Sequence, residues 1–315
     1  MSRALTAAVV VCAASAEREP LLRGCVRSLL GGERVPDELL VVVDRNPALE
    51  ASVAGWLPPA ARLLRSGSHG ISSSRNAGLR AATSDVVAFV DDDAAAEPDW
   101  LLRLIEPFEA ETGILGAGGA VVPQWETDAR WLPEELLWVV GCTYLGHPEG
   151  PGPIRNPIGC NMAFSRRELT AVGGFSAEFG KRGATPSTCD ETEVCLRLER
   201  AHGFGRIVSV PAARVRHHIP TARIGWRALV RRCISEGLSK GRLRHLYGRA
   251  ALDTECEYAR TLVTRRAPRL LVQGIARGDR RLLQGGVAII LTLAITGASY
   301  VGGEVLARSR AGTTA

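Results

Sequence analysis

Three carboxylates stand in a row at the end of an apolar run, in AFVDDDAAAEPDW, residues 88–100. Asp91, Asp92 and Asp93 repel one another wherever water is scarce, so a chain that keeps them adjacent has a cation or a turn to satisfy. In an extended strand alternate side chains share a face, which puts Asp91 and Asp93 on one side and Asp92 on the other. Two carboxylates on one side can hold Mg2+ or Mn2+ together with a sugar or ribose hydroxyl. The competing reading is a solvated turn, or a cap for a helix beginning near 98–100, where Glu97 and Asp99 also suit a helix N-terminus. A second acidic group lies in CDETEVCLRLE, with Asp190, Glu191 and Glu193 in the first turn of a helix. The helix dipole favours acids there in any case, and that suffices for Glu193. Glu191 is the candidate general base, provided the fold carries this helix end to the first acidic site. His217, beside His218, is a candidate third metal ligand.

These residues need elements to position them. A strand over 7–12 leads to a helix around 21–30, and a second strand over 39–43 stops at Asp44. The loop SGSHG and a helical SSRNAGLRAAT follow, then a third strand over 86–90 that stops at Asp91. Continuous Val-rich strands alternating with helices predict an α/β fold with a parallel sheet covered on both faces. Ligands bind such sheets at the carboxyl edge, where Asp44 and Asp91 to Asp93 both fall. The glycines of GAGGAVV lack nucleotide-fingerprint spacing and instead allow close backbone approach. Residues 123–157, with Trp125, Trp131 and Trp138, read as a cover over a cleft or a membrane-facing surface. GCNMAFS reads as a strand, Arg166 and Arg167 start a helix, GGF is a turn, 190–202 is a helix, and a short strand over 210–215 precedes the histidines.

Length and composition support this. The 315 residues are 46% apolar, ample for a core, and 39 basic residues outnumber 33 acidic ones. Lys181 and Lys240 are the only lysines, so the excess is guanidinium, suited to phosphate or carboxylate partners. No basic run is interleaved with aromatics, which argues against nucleic acid. Eight cysteines without CxxC pairs read as reduced, mostly buried thiols. The N-terminal MSRALTAAVVVCAASA imitates a signal peptide, yet the same pattern describes a buried first strand. From Leu282 to Gly303 no residue is charged, a run long enough to cross a bilayer. Arg277, Arg280 and Arg281 precede it, which sets the body on the cytoplasmic side. The arginine-rich stretch from Tyr258 to Leu283 is amphipathic and suits the bilayer interface.

In their order along residues 5 to about 245, these motifs resemble the inverting glycosyltransferases of family 2, whose fold is called GT-A. VVVCAAS is similar to the first nucleotide-contacting strand of that family and VVVDRN to the second, which implies that Asp44 meets uracil. GISSSRNAGL resembles the segment whose arginine, Arg75 here, reaches the nucleotide, and FVDDDA is similar to the Asp-x-Asp motif. GCNMAFSRRELTAVGGF and DETEVCLR resemble the acceptor-side strand and the catalytic-acid helix. RVRHHIPTAR is similar to the metal-histidine stretch, with Arg223 near the diphosphate. Ala13, Ala14 and Ser15 stand where a Thr-Tyr-Asn-like stretch is usual, and Asp190-Glu191 replaces the more common Glu-Asp pair, giving the base a longer arm. Within the family, WLPEELLWVVGC, RNPIGCN and the single anchor most resemble the archaeal glucosyl-dolichyl-phosphate glucuronosyltransferases.

The resemblance implies a UDP-sugar donor, a lipid-linked, polyprenyl-phosphate acceptor, and Mg2+ or Mn2+ on Asp93, Asp91 and His217. It implies catalysis by Glu191 with Asp190, nucleotide-sugar contacts from Ser15, Asp44, Arg75, Asp91, Asp92 and Arg223, and acceptor or sugar contacts from Asn161, Trp138, Arg155, Lys181 and Arg182. The expected organisation is a GT-A catalytic domain over 1–255 with a mostly parallel central sheet flanked by helices. Basic amphipathic helices over 256–281, one transmembrane helix over 282–306 and a tail over 307–315 complete the chain. Direct transfer to a lipid phosphate, or an inactive nucleotide-sugar-binding membrane protein, are the alternatives. A sugar nucleotidyltransferase is disfavoured because CAASAEREP lacks the glycine-rich loop that holds a triphosphate.

Overall fold

The computed structural model of the chain describes residues 4–180, 187–248 and 252–313. The strands are β1 Ala7–Ala13, β2 Glu38–Val43, β3 Ala61–Arg65, β4 Val86–Asp91, β5 Ala94–Ala96, β6 Gly116–Trp125, β7 Gly152–Pro153, β8 Asn161–Ser165 and β9 Ile207–Ile219. The helices are α1 Glu19–Leu30, α2 Pro47–Ala54, α3 Ile71–Ala81, α4 Trp100–Ala110, α5 Arg166–Ala171, α6 Asp190–His202, α7 Trp226–Tyr247, α8 Asp253–Thr261, α9 Ala267–Arg277 and α10 Arg280–Thr313. The chain divides into two compact units. One comprises the described residues of Met1–Gln124, Pro148–Ala184 and Asp190–His218, and the other those of Trp125–His147, Thr185–Cys189 and Ile219–Ala315.

The first unit is built on one sheet in the order β3-β2-β1-β4-β8-β6-β9-β5, with β7 paired to β9. Its first four strands are parallel, because α1, α2 and α3 between them return the chain to the same end each time. β1 is buried along its whole length, so the N-terminal apolar stretch is a central strand of the sheet. Leu22, Cys25, Val26 and Leu29 give α1 the one-sided stripe that covers a sheet face. On α3, Gly78 lies directly against Val10, where any Cβ would collide. The parallel sheet read from the sequence is thus one half of a mixed one. β4 pairs antiparallel with β8, and β8 with β6.

The glycines of β6 do admit bulky neighbours: a Cβ on Gly116 would meet Phe164, on Gly118 Pro157, and on Gly119 the Asn161 side chain. β9 is longer than expected, 13 residues, and contains both histidines. α2 and the edge strand β3 were not expected; β3 carries two arginines among its five residues, which masks the strand pattern. All eight cysteines are free, and seven are buried.

The second unit gathers α7 to α10 and the Trp-rich segment. Trp131 stacks on Trp226 at 5.0 Å between ring centroids. Buried Glu135 is paired with Arg266. α10 lies along α7 through small residues. Cβ atoms on Gly237 and Gly241 would meet the backbone of α10 at Thr296 and Tyr300, and one on Gly303 would meet the backbone of Leu238. Close approach through small residues is the packing used by membrane helices. Arg244 donates to the Tyr300 hydroxyl across the same contact at 2.5 Å. Val287, Ile290, Leu291, Val301, Val305 and Leu306 remain exposed on α10, and Val272 and Ile275 on α9. Gly241→Leu should therefore cost about 1–3 kcal/mol by overpacking, whereas Gly297→Ala, with nothing within 4 Å, should be neutral or better. Thermal unfolding of the detergent-purified chain checks this, and equal melting temperatures for Gly241→Leu and wild type would refute the α7–α10 contact.

Candidate active site

The parallel half of the sheet delivers three strand ends to one edge. Cys12 is in register with Asp91 and Ala13 with Val43, so the loop holding Ser15, the Asp44 turn and the acidic triplet are neighbours. The Asp44 backbone N–H donates to Ala13 O at 2.8 Å, and its carboxylate accepts from Gly70 N at 2.9 Å. His69 Nδ1 lies 3.5 Å from the other Asp44 oxygen.

β4 ends at Asp91, and Asp92 and Asp93 form a turn before β5. Strand alternation therefore does not extend through the triplet; the turn, not the pleat, brings Asp93 back beside Asp91. β5 then pairs antiparallel with β9, setting Ala94 against His217, while His218 N donates to Asp93 O at 2.8 Å. Alternation along β9 turns Ala213, Val215, His217 and Ile219 inward, and His217 Nε2 comes to 3.2 Å from Asp93 Oδ1. Ligand atoms of Asp91, Asp93 and His217 all lie within 4.8 Å of one another. Two carboxylate oxygens and an imidazole nitrogen converging in this way fit a divalent cation such as Mg2+ or Mn2+. The triplet does not cap α4, whose N-terminal Asp99 pairs with Arg103.

Arg75 ties the acidic helix to this edge. Buried on α3, it donates from Nη1 to Asp190 Oδ2 at 2.5 Å and from Nη2 to Gly159 O at 2.7 Å, with Nη2 3.7 Å from Asp91 Oδ1. Its guanidinium also sits over Phe175 at 5.4 Å, on the GGF turn whose backbone exchanges two hydrogen bonds with Asn76. Asp190 and Asp91 both raise the Arg75 pKa against the lowering effect of burial. Glu191 is pushed the other way from a usual carboxylate. Burial raises its pKa, the Asp190 carboxylate and a hydrogen bond to it add to the rise, and Arg75 only partly offsets them. A carboxyl held above its ordinary range suits proton abstraction near neutral pH. Glu193 is spent on Arg197, 2.7 Å away.

The other expected site residues are distributed differently. Asn161 is fully buried with its amide committed to the scaffold: Trp100 Nε1 donates to its oxygen, and its nitrogen donates to Ala120 O and Ala213 O, each at 2.8 Å. It braces β8 against β6, β9 and α4. Half-buried Arg155 donates to Asn156 Oδ1 at 2.8 Å and lies near Glu199, further along α6 than the acidic pair. Trp138 and Arg223 belong to the second unit, and Lys181 and Arg182 lie outside the described residues. Arg18 was not anticipated. Its Nη1 donates to Asp93 Oδ2 at 2.7 Å and lies 3.1 Å from Asp92 Oδ1. A lone arginine just after the first strand, opposite three acids at the same sheet edge, was the available signal.

A parallel nucleotide-type half-sheet, an Asp-x-Asp turn joined by a histidine, and an acidic helix head define a glycosyltransferase of GT-A architecture. The model of glycosyl transferase family 2 matches residues 8–172, and the chain belongs to that family. It is 33% identical, over 94% of its length and 95% of the relative's, to the glucosyl-dolichyl phosphate glucuronosyltransferase of Haloferax volcanii. Among solved structures it resembles the mannosyltransferase PcManGT of Pyrobaculum calidifontis in complex with GDP-Man and Mn2+, with a TM-score of 0.61 at 16% identity, covering 95% of this chain and 88% of that one. It also resembles GalNAc-T7 with UDP, GalNAc and Mn2+, with a TM-score of 0.52 at 14% identity, covering 81% and 53%.

The raised Glu191 pKa has a consequence for stability. The folded state holds that proton more tightly than the unfolded chain, so the stabilising effect is complete below the unfolded carboxyl range, about pH 4.3, and is lost as pH rises through the folded pKa. Glu191→Gln should therefore match wild type in acid and exceed its melting temperature increasingly toward alkaline pH. Melting curves across pH check this, and a gap that narrows with rising pH would contradict the direction of the shift.

Proposed function

We propose that this glycosyltransferase moves a sugar, with glucuronic acid first among the donors, from a UDP-sugar to a polyprenyl-phosphate-linked sugar at a membrane, inverting the anomeric centre. One observation carries the reading: a single buried guanidinium, Arg75, links Asp190 at the head of α6 to Asp91 at the sheet edge. The proton-accepting group and the donor-binding edge are then two ends of one electrostatic unit. The relationship to the Haloferax volcanii enzyme supports the uronate donor and the lipid-linked acceptor.

In this reading Ser15 and Asp44 contact the nucleotide base, Arg75 and Asp92 contact the nucleotide sugar, and Arg223 offsets charge on the diphosphate. Asp91, Asp93 and His217 would hold Mg2+ or Mn2+, which when bound offsets the negative charge growing on the departing diphosphate. Glu191 takes the proton from the acceptor hydroxyl as that oxygen attacks the anomeric carbon from the face opposite the leaving group. Asp190 holds Arg75 and orients the helix head. Trp138, Arg155, Lys181 and Arg182 serve the acceptor or the sugar carboxylate, and Asn161 serves them by bracing β8.

For the membrane, α10 offers one helix long and apolar enough to cross, over Arg280–Ser309, with 28% of its most apolar stretch buried. We assign the catalytic domain to 1–255, interfacial helices to 256–281 and a single span to 282–306, with the body on the cytoplasmic side of Arg277, Arg280 and Arg281. The exposed Val272 and Ile275 on the arginine-bearing α9 support an interfacial position.

Transfer from a panel of nucleotide sugars to lipid-linked sugars, with Mn2+ and detergent-purified protein, tests this directly. UDP-glucuronate should be the best donor, and preference for GDP-mannose would overturn the donor assignment. Glu191→Gln should keep UDP binding and lose transfer by at least about 10²-fold; near wild-type transfer would remove Glu191 from the mechanism. Asp93→Asn should abolish Mn2+-dependent UDP binding in calorimetry, and undiminished binding would defeat the metal assignment.

A further inference from the structure

Asp93 already has a cation. Arg18 lies in a 3-10 turn, Ala16–Arg18, after β1, and its Nη1 sits 2.7 Å from Asp93 Oδ2 and 3.1 Å from Asp92 Oδ1. Both carboxylates are 2% exposed at the side chain, whereas Arg18 keeps 32% of its own exposed. The guanidinium therefore covers the acids from the solvent side. The opposite Asp93 oxygen is the one that faces His217. Arg75 stands near Asp91 on the inner side, 5% exposed. The Arg18 guanidinium offsets one charge of the acidic triplet, so a divalent ion meets a weaker attraction than the acids would offer without it.

The two arginines differ in their anchors. Arg75 is held by Asp190, the Gly159 carbonyl and the Phe175 ring, and moving it would strand a buried charge. Arg18 is held from the solvent side by the two acids themselves. A diphosphate at the ends of β1 and β4 offers that guanidinium an alternative of matching geometry, two or more phosphate oxygens in a fork.

We propose that Arg18 is a built-in counter-cation that makes metal binding conditional on nucleotide binding. Without nucleotide it neutralises Asp92 and Asp93 and keeps metal affinity low. A nucleoside diphosphate draws it off the acids and supplies oxygens of its own to the site, so metal and nucleotide bind as a pair. The proposal rests on the reading that Asp91, Asp93 and His217 hold the metal beside the nucleotide.

The test is Mn2+ binding to the full chain in detergent, followed by the paramagnetic resonance signal of free Mn2+, for wild type, Arg18→Gln and Arg18→Lys, each with and without UDP. Arg18→Gln should bind Mn2+ alone about tenfold more tightly than wild type, and UDP should strengthen Mn2+ binding less in this variant, the lost factor being the coupling. Arg18→Lys keeps the charge and should stay near wild type. Unchanged or weaker Mn2+ binding by Arg18→Gln would overturn the proposal and make Arg18 a brace that orients Asp93. Wild-type Mn2+ affinity indifferent to UDP would overturn it as well. If none of the three proteins binds Mn2+ even with UDP, the metal site itself is wrong, a failure distinct from the Arg18 result.

Discussion

The buried guanidinium of Arg75 is the constraint on which the rest of the site depends. An arginine inside a protein is tolerated only where carboxylates and carbonyls surround it, and removing one partner of a buried pair costs about 3–5 kcal/mol. Arg75 therefore dictates that Asp190, Asp91 and the Gly159 carbonyl converge from three separate stretches of chain. Gly159 meets the demand because a Cβ there would press on Arg75 and reach the Glu191 carboxylate. Phe175 closes the remaining face, held by the reciprocal bonds between its backbone and Asn76, one residue after Arg75. The raised Glu191 pKa follows from the same arrangement. Arg75 is engaged by the Asp190 carboxylate, and Glu191 next to it meets burial and the repulsion of Asp190 with only partial compensation from the guanidinium.

The two halves of the sheet divide the work. The parallel half ends three strands at one edge and so collects Ser15, Asp44 and the aspartates, which is the general property of such sheets. The antiparallel half supplies what the parallel half lacks. β9 carries His217 to Asp93 through its ladder with β5, and the Asn161 amide ties β6, β8, β9 and α4 into one rigid support. A site assembled from rigid strands and a helix head holds its geometry better than one assembled from loops.

The helical unit solves a different problem. α10 alone would be an apolar rod, yet Gly237, Gly241 and Gly303 let it lie against α7, a helix rich in charge. The pairing leaves one side of α10 apolar and exposed while packing the other against α7.

The local patterns of the chain determined much of this. Val-rich runs over 7–12, 39–43 and 86–90 announced buried parallel strands, because only strands covered on both faces are apolar without alternation. The acid-rich start of α6 and the uncharged run near the C-terminus were equally plain, since helix dipoles and hydrocarbon act on neighbouring residues. Tertiary structure decided whatever depends on distant partners. Asp93 reaches Asp91 through a turn that pleat alternation does not describe, His217 is selected over His218 by a strand longer than its apolar core, and Asn161 serves the scaffold because three carbonyl and indole partners surround it. Arg18 reads as one arginine among many in the sequence, and Arg75 stands out there only through the family resemblance, with no sign of its acidic partners. The importance of both arginines comes from the carboxylates that folding brings to them, a Coulomb term set by distances that no run of adjacent residues encodes.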